Sequence, residues 1–242
     1  MDKGKDCRPT KHYLEAISIA MGVYRARILV FAKAPVAGQV KTRLIPVLGD
    51  QGAAALHRRL VRRTLGVVSR VGGAEVALCC APDARHGFFR AQAARYGVRL
   101  RSQRGGDLGA RMAHAMGWAL AQGPGVVLIG SDCPGLTARD LSEAIAALRA
   151  GCDAVLGPAL DGGYVLIGLR RYSPRVFEAV PWGSARVLDL TRVRLQGLGW
   201  RWQELAPRRD LDRSQDLACF PQWVPQGLRC RLSQGGPRGL VG

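Results

Sequence analysis

The chain has 242 residues, enough for one α/β domain with a sizeable core, and its 48% hydrophobic content excludes a disordered chain. The formal charge of +18 is carried almost wholly by arginines spread along the chain, with only Lys3, Lys5, Lys11, Lys33 and Lys41 as lysines. A spread charge lacks the clustered stripe of a nucleic-acid binder, yet it favours polyanionic small substrates such as nucleoside di- and triphosphates.

In chain order, residues 1–24 read as a polar extension, and Met21 within it offers an alternative start. A strand is predicted at Ile28–Ala32, followed by a basic loop from Lys33 to Arg43 and a helix on which Leu56, Leu60, Val67 and Val71 recur at helical spacing. Glu75–Cys80 reads as a second strand, His86–Tyr96 as a helix and Val98–Arg101 as a third strand. A helix over Leu108–Ala121 is entered through Gly105, Gly106 and Asp107, and Val126–Ile129 is a continuous apolar run suited to a central parallel strand. Thr137 is positioned to cap a helix bearing Leu141, Ile145 and Leu148. Two apolar runs, Ala154–Leu156 and Tyr164–Leu169, flank a turn at Asp161–Gly163; a helix at Val187–Leu195, a strand at Arg201–Leu205 and a short helix near Ser214 complete the pattern. The alternation predicts a single α/β domain over residues 25–219, with a mainly parallel sheet flanked by helices and ligands held beyond the carboxyl ends of the strands. Residues 220–242, rich in Pro, Gln and Gly, read as a tail.

There is no run of eighteen apolar residues and no basic-then-apolar leader, so the expectation is a cytoplasmic protein with no membrane segment. The seven cysteines form no C-x-x-C pair and the four histidines no metal-ligand spacing, which argues against a disulfide framework and a zinc site.

Four constellations carry chemistry. The loop Lys33–Leu44 places Lys33, Lys41 and Arg43 around Gly38 and Pro35, as an anion site would need, although no Walker A pattern is present. Asp132 follows a buried strand directly, where its oxygens could hold Mg²⁺ or Mn²⁺ against a diphosphate; the competing reading is a turn aspartate. At Asp161–Tyr164, paired glycines permit close backbone approach to a sugar or phosphate while the aspartate accepts a hydroxyl proton or supports the metal; an ordinary hairpin turn is the alternative. Asp210 and Asp212 could complete a metal shell, with Asp216 explained as helix N-terminal charge. Gly106 and Asp107 suit either a nucleoside contact or a structural helix entry.

Taken in order, Lys33-x-Pro35-x-x-Gly38-x-x-Lys41-Thr42-Arg43-Leu44, Gly106-Asp107-Leu108-Gly109-x-Arg111-Met112, Gly130-Ser131-Asp132-Cys133-Pro134, Gly157-Pro158-x-x-Asp161-Gly162-Gly163-Tyr164, Trp182-Gly183 and Asp210-x-Asp212 resemble the DUF2064 family of GT-A-fold transferases. The resemblance spans roughly residues 26–218 and implies a GT-A, Rossmann-like fold. That family is similar to nucleotide-diphospho-sugar transferases, is often labelled glycosyltransferase in radical-SAM or arsenosugar gene clusters, and is related in style to phospholactate and molybdenum-cofactor guanylyltransferases. By resemblance, Lys33, Pro35, Gly38, Lys41 and Arg43 hold nucleotide phosphates, Gly106 and Asp107 the nucleoside, Asp132 the divalent metal with Asp210 or Asp212, and Asp161, Gly162, Gly163 and Tyr164 the acceptor or sugar. Asp132, Asp161 and Lys41 are the expected catalytic groups. Guanylyltransferases of this type tend to carry Thr and Asn after the paired glycines, where this chain has Tyr164 and Val165.

The sequence therefore points to a metal-dependent transferase that uses a nucleotide-sugar or a nucleoside triphosphate together with a small acceptor. Glycosyl transfer is placed first, nucleotidyl transfer second, and a basic nucleic-acid-binding module third, since aromatics are only 6% of the chain.

Overall fold

The organising strand is β1 (Arg27–Lys33), whose five central residues are all buried because it is flanked on both edges and covered on both faces. The structure, a computed structural model, describes residues 25–224; the 1–24 extension with Met21, and residues 225–242, lie outside the described residues. On one edge of β1 lies β2 (Glu75–Ala81) and beyond it β3 (Arg99–Ser102), all parallel. On the other edge β4 (Val126–Gly130) is also parallel. The sheet continues through β6 (Tyr164–Leu169), β5 (Ala154–Pro158) and β7 (Trp202–Glu204), giving the seven-strand order β3-β2-β1-β4-β6-β5-β7.

β6 is the one reversed strand, antiparallel to both β4 and β5, while β7 is parallel to β5. This reversal has a positional effect. The turn between β5 and β6 opens on the same sheet edge as the carboxyl ends of β1, β4 and β7, so Lys33, Asp132, Asp161 and Asp210 all leave the sheet on one side.

The period-two alternation of β1 sorts the core into two layers. Ile28, Val30 and Ala32 pack with Val61 and Leu65 of α1 (Ile45–Val68), Phe89 of α2 (Gly87–Tyr96) and Leu141 and Leu148 of α4 (Ala138–Arg149). Leu29 and Phe31 face Met112 and Met116 of α3 (Leu108–Leu120) and Leu188 and Leu195 of α5 (Val187–Gly197). At Thr137 the expected cap is a full capping box: the hydroxyl accepts from Asp140 N, and the Asp140 carboxylate accepts from Thr137 N. Asp140 also pairs with Arg208 at 2.5 Å, which ties the segment after β7 to α4.

Two boundaries differ from the sequence reading. α1 starts at Ile45, well before the periodic leucines; Pro46 is tolerated in its first turn, and a non-helical Gly49 (φ 68°) kinks it, so the opening turns resemble loop in the sequence. The packed region also runs beyond Cys219. After α6 (Ser214–Cys219), a turn of 3₁₀ helix at Pro221–Trp223 and the buried Val224 join Leu44, Leu56, Leu60, Leu211 and Leu217 in a third apolar cluster. There Arg59 stacks on Trp223 and donates to Trp223 O and Gln222 O.

Cys79, Cys80 and Cys133 are buried and free, and burial pushes each thiol up to about 12, so none is a nucleophile at neutral pH. Among the described residues no helix is long and apolar enough to cross a membrane.

Truncation after Cys219 removes Val224 from the third cluster and Trp223 from Arg59, exposing Leu56 and Leu60 on α1. Thermal unfolding of that variant should fall by several degrees, corresponding to about 2 kcal/mol for the lost apolar burial.

Candidate active site

β1 delivers Lys33 to the carboxyl edge, and the chain then turns through Gly38 in a left-handed conformation (φ 77°) with no atom where a Cβ would stand. Lys41 is also left-handed (φ 49°, ψ 40°), a conformation that disfavours any residue carrying a Cβ and implies that surrounding contacts hold it. Those contacts are visible: Nζ donates to Leu211 O at 2.6 Å and lies 3.0 Å from Asp132 Oδ1 and 3.7 Å from Asp212 Oδ1, with the side chain only 2% exposed. Lys33, Lys41 and Arg43 do line one cavity of about 540 Å³, but they do not all face its space. Lys41 is turned inward as a strut, Arg43 donates to Asp212 at 2.6 Å, and Lys33 is exposed. Arg111 and Gln103, to which the sequence reading gave no role, line the same cavity.

Asp132 follows β4 with its carboxylate about half exposed (45%), one oxygen turned to Lys41 and the rest of the group facing the cavity. Burial acts to raise its pKa, but the Lys41 ammonium, with Lys33 adding to it, outweighs that and holds it below the usual carboxylate range. Its main-chain oxygen accepts from Leu211 N at 2.9 Å. Leu211 is thus held from both sides, N–H by Asp132 and C=O by Lys41, which fixes the flanking Asp210 and Asp212 against the end of β4.

His57 was missed in the sequence. It lies on α1 on the face of Val61 and Leu65, four and eight residues on, and that periodicity marks it as a polar group turned into the core. Its Nε2 donates to Lys33 O at 3.0 Å, while burial lowers its pKa and keeps the ring neutral. Nδ1 is then left as a buried acceptor without a hydrogen-bond partner, 3.8 Å from Asp132 Oδ1.

A second cavity, of about 240 Å³, adjoins the first and shares Phe31, Leu108 and Gly130 with it. Met112, Leu128, Tyr164 and Trp182 give it an apolar wall, and Asp161 and Asp210 a charged one. Tyr164 meets Trp182 edge to face (6.3 Å between ring centres), and among the described residues its hydroxyl has only the Met112 sulfur, at 4.0 Å, within reach. Trp182 lies so close over Gly109 that any Cβ there would overlap the indole nitrogen. The Asp161 side chain accepts from Gly163 N at 3.0 Å. Gly162 (φ 87°) packs on the Ala185 backbone so tightly that no other residue fits, which fixes the turn on which Asp161 sits.

Gly106 and Asp107 sit at the entry to α3, where the Asp107 side chain accepts from Ala110 N at 2.7 Å as its N-cap. That is the helix-entry reading of the pair; among the described residues neither lines the 540 Å³ cavity.

Asp210 is the most perturbed carboxyl of the cluster. Burial and the charges of Asp132, Asp161 and Asp212, opposed by Lys41, push it up to about 7. A cluster of carboxylates that repel one another and share one buried ammonium suits a hard divalent cation. Among the described residues no three His, Cys, Asp or Glu side chains are arranged to hold a metal ion. A site of the Mg²⁺ kind, in which one or two carboxylates act together with substrate phosphates and water, needs no such cluster. Asp132, Asp161 and Asp210 face the cavities without an arginine partner among the described residues, whereas Asp212 is taken by Arg43. Asp216 accepts from the amides of Asp212 and Arg213, as a capping residue does.

This strand order, with both cavities at the carboxyl edge, defines an α/β fold of the nucleotide-diphospho-sugar transferase, GT-A type, and three solved structures share it. A protein from Desulfovibrio desulfuricans G20, provisionally described as a nucleotide-diphospho-sugar transferase, is 34% identical, with 84% of this chain and 90% of that one covered and a TM-score of 0.75. CMP:2-keto-3-deoxy-manno-octonic acid synthetase, solved with CTP, is 12% identical over 87% of this chain and 99% of that one (TM-score 0.52). Glucosyl-3-phosphoglycerate synthase from Mycobacterium tuberculosis, solved with Mn²⁺, UDP and glucosyl-3-phosphoglycerate, is 15% identical over 95% and 87% (TM-score 0.51). At such identities the last two bear on the fold alone. The chain belongs to the DUF2064 family, described as uncharacterized protein conserved in bacteria, whose profile matches residues 64–184. No functionally curated protein matches the sequence.

A carboxyl whose pKa is raised by folding destabilises the fold as pH climbs from its ordinary value of 3.8, and the full cost is reached above about 7. Asp210→Asn removes that cost. The variant should melt at the same temperature as the parent near pH 4 and higher at pH 8 in chelator, by a few kcal/mol and about 4 at most. Equal melting temperatures at both pH values would show that folding does not raise the Asp210 pKa, whether by burial or by its carboxylate neighbours.

Proposed function

We propose that this protein is a divalent-metal-dependent glycosyltransferase that moves a sugar from a nucleotide-sugar to a small acceptor. The observation that carries the reading is the pair of joined cavities: a cationic one sized for a nucleotide beside a smaller one with an aromatic and carboxylate wall, meeting at Gly130. Support also comes from the relative in Desulfovibrio desulfuricans G20.

On this reading Lys33 and Arg111, with the amides of the Gly38 turn, bind the diphosphate, and Arg43 borders it through its Asp212 pair. Lys41 does not touch the substrate; it holds Asp132 ionised and the Asp210 loop in register. Asp132 and Asp210 would hold Mg²⁺ or Mn²⁺, which supplies charge neutralisation for the departing diphosphate. Gly130, whose Cβ would point into open space, leaves the passage between the cavities clear for the bond to be broken. Asp161 accepts the proton of the acceptor hydroxyl as that oxygen attacks the sugar.

Nucleotidyl transfer is the second reading, favoured by the number of cations around the larger cavity, which would suit a triphosphate. Melting curves with nucleoside triphosphates, diphosphates and nucleotide-sugars, each with and without Mn²⁺ or Mg²⁺, separate the two, since a ligand of the native state raises its melting temperature. The largest metal-dependent rise is expected with a nucleotide-sugar. A larger rise with a triphosphate moves the assignment to nucleotidyl transfer, and no rise with any nucleotide overturns both. Under either reading Asp132→Asn should lower turnover by about 10²–10³-fold while leaving the Leu211 amide contact to the main chain in place.

A further inference from the structure

We propose that Gln103 reads the base of the bound nucleotide: its side-chain oxygen accepts from an N–H on the edge of the base. The inference rests on the nucleotide-using reading above, in its glycosyl or its nucleotidyl form, and adds the residue that selects the base.

Gln103 is fixed at both ends. Its main-chain N–H donates to Cys80 O at 2.9 Å, and its side-chain nitrogen donates to Cys79 O at 2.8 Å and, more weakly, to Ala32 O at 3.4 Å. Main-chain carbonyls only accept, so the atom facing them must be the nitrogen, and the usual freedom of an amide to flip is gone. Both amide hydrogens are thus committed to the ends of β1 and β2. Among the described residues Oε1 has no hydrogen-bond partner and is not a buried orphan, and the residue lines the 540 Å³ cavity. The loop that follows is held as well. Arg111 Nε donates to Gly105 O at 3.1 Å, and Gly105 packs so closely on the start of α3 that a Cβ would overlap the Ala110 and Arg111 backbone. The acceptor is therefore presented in place, with little side-chain ordering left to be done on binding.

The order of the sheet puts this acceptor where a base would lie. Lys33 leaves β1; the smaller cavity, with Leu128 of β4 and Tyr164 of β6, lies to one side of it, and the Gln103 amide, on the ends of β1 and β2, to the other. A diphosphate at Lys33 with its sugar in the smaller cavity directs the nucleoside toward Gln103. A ribose hydroxyl turns its hydrogen to suit either a donor or an acceptor, whereas the donors and acceptors of a base are fixed in its plane. A group locked in one polarity therefore discriminates among bases. An N–H set against Oε1 is satisfied, and a ring lone pair in the same place leaves two acceptors facing each other.

The test is calorimetric titration of the full chain with UDP, CDP, GDP and ADP in Mn²⁺, on the parent and on Gln103→Met, which keeps the length of the side chain and removes its acceptor. The parent should prefer one base by about tenfold or more, and the variant should lose that preference, the favoured nucleotide weakening about tenfold and the other three little. Inorganic pyrophosphate, which has no base, should bind both proteins alike. A parent without preference, an unchanged ranking in the variant, a uniform loss across the four nucleotides or a parallel loss for pyrophosphate overturns the inference and leaves the nucleotide reading standing. Failure of all four to bind the parent overturns the two together. A second arm works on the parent alone: the favoured diphosphate, methylated at its Watson–Crick N–H, should bind about tenfold more weakly, while the same methylation should cost Gln103→Met little. No loss on the parent, or the same loss on both proteins, counts against the inference.

Discussion

The ammonium of Lys41 is the contact on which the cleft depends. An amine taken almost wholly out of water is costly unless it is paired and hydrogen-bonded, and here the Asp132 carboxylate and the Leu211 carbonyl meet that requirement together. The same atom therefore joins three remote stretches of chain: the loop after β1, the end of β4 and the segment after β7. The main-chain bond from Leu211 to Asp132 adds a second tie at the same junction. Removal of the ammonium would strand Asp132 Oδ1 beside a neutral imidazole and leave Asp210 and Asp212 without their inward anchor. The strained backbone at Lys41 is the local cost of that arrangement.

His57 works beside it from the helix behind. By donating to the carbonyl of Lys33 it satisfies the end of β1, and as a neutral ring it adds no charge to a crowded site. The electrostatic order of the cleft follows from these two groups. Asp132 is kept ionised next to a buried cation, whereas Asp210, one step further from that cation and surrounded by carboxylates, holds its proton far more readily. Two aspartates of the same intrinsic acidity are thus separated by position alone.

Much of the scaffold was legible in the chain. The apolar runs at Ile28–Ala32 and Val126–Ile129 were long enough and rich enough in β-branched residues to mark central strands, and Thr137 marked a cap that forms in full. The reversal of β6 was not legible, because a buried strand has the same pattern whichever way it runs. α1 was visible only where its leucines recur, since Pro46 and Gly49 disguise its beginning. For the site, the aspartates after strand ends announced themselves, but the inward turn of Lys41 did not: a basic loop reads as solvent-facing until its backbone conformation is known. His57 carried a faint signal, its place on the apolar face of a helix. Asp107 fitted two roles equally in the sequence, and the hydrogen bond to Ala110 shows it as a helix cap.

The two cavities draw on different parts of the chain. Apart from Asp212, the larger one is lined by residues no later than Asp132, whereas most of the smaller one comes from the β5–β6 turn onward, around Tyr164, Trp182 and Asp210. The two cavities are tied at one junction, where Lys41 of the loop after β1 holds Leu211 and Asp212 of the segment after β7, so the stretch Asp210–Asp212 cannot change independently of that loop. Change confined to the β5–β6 turn and to residues 182–187 would therefore reshape the smaller cavity while leaving the lining of the larger one in place.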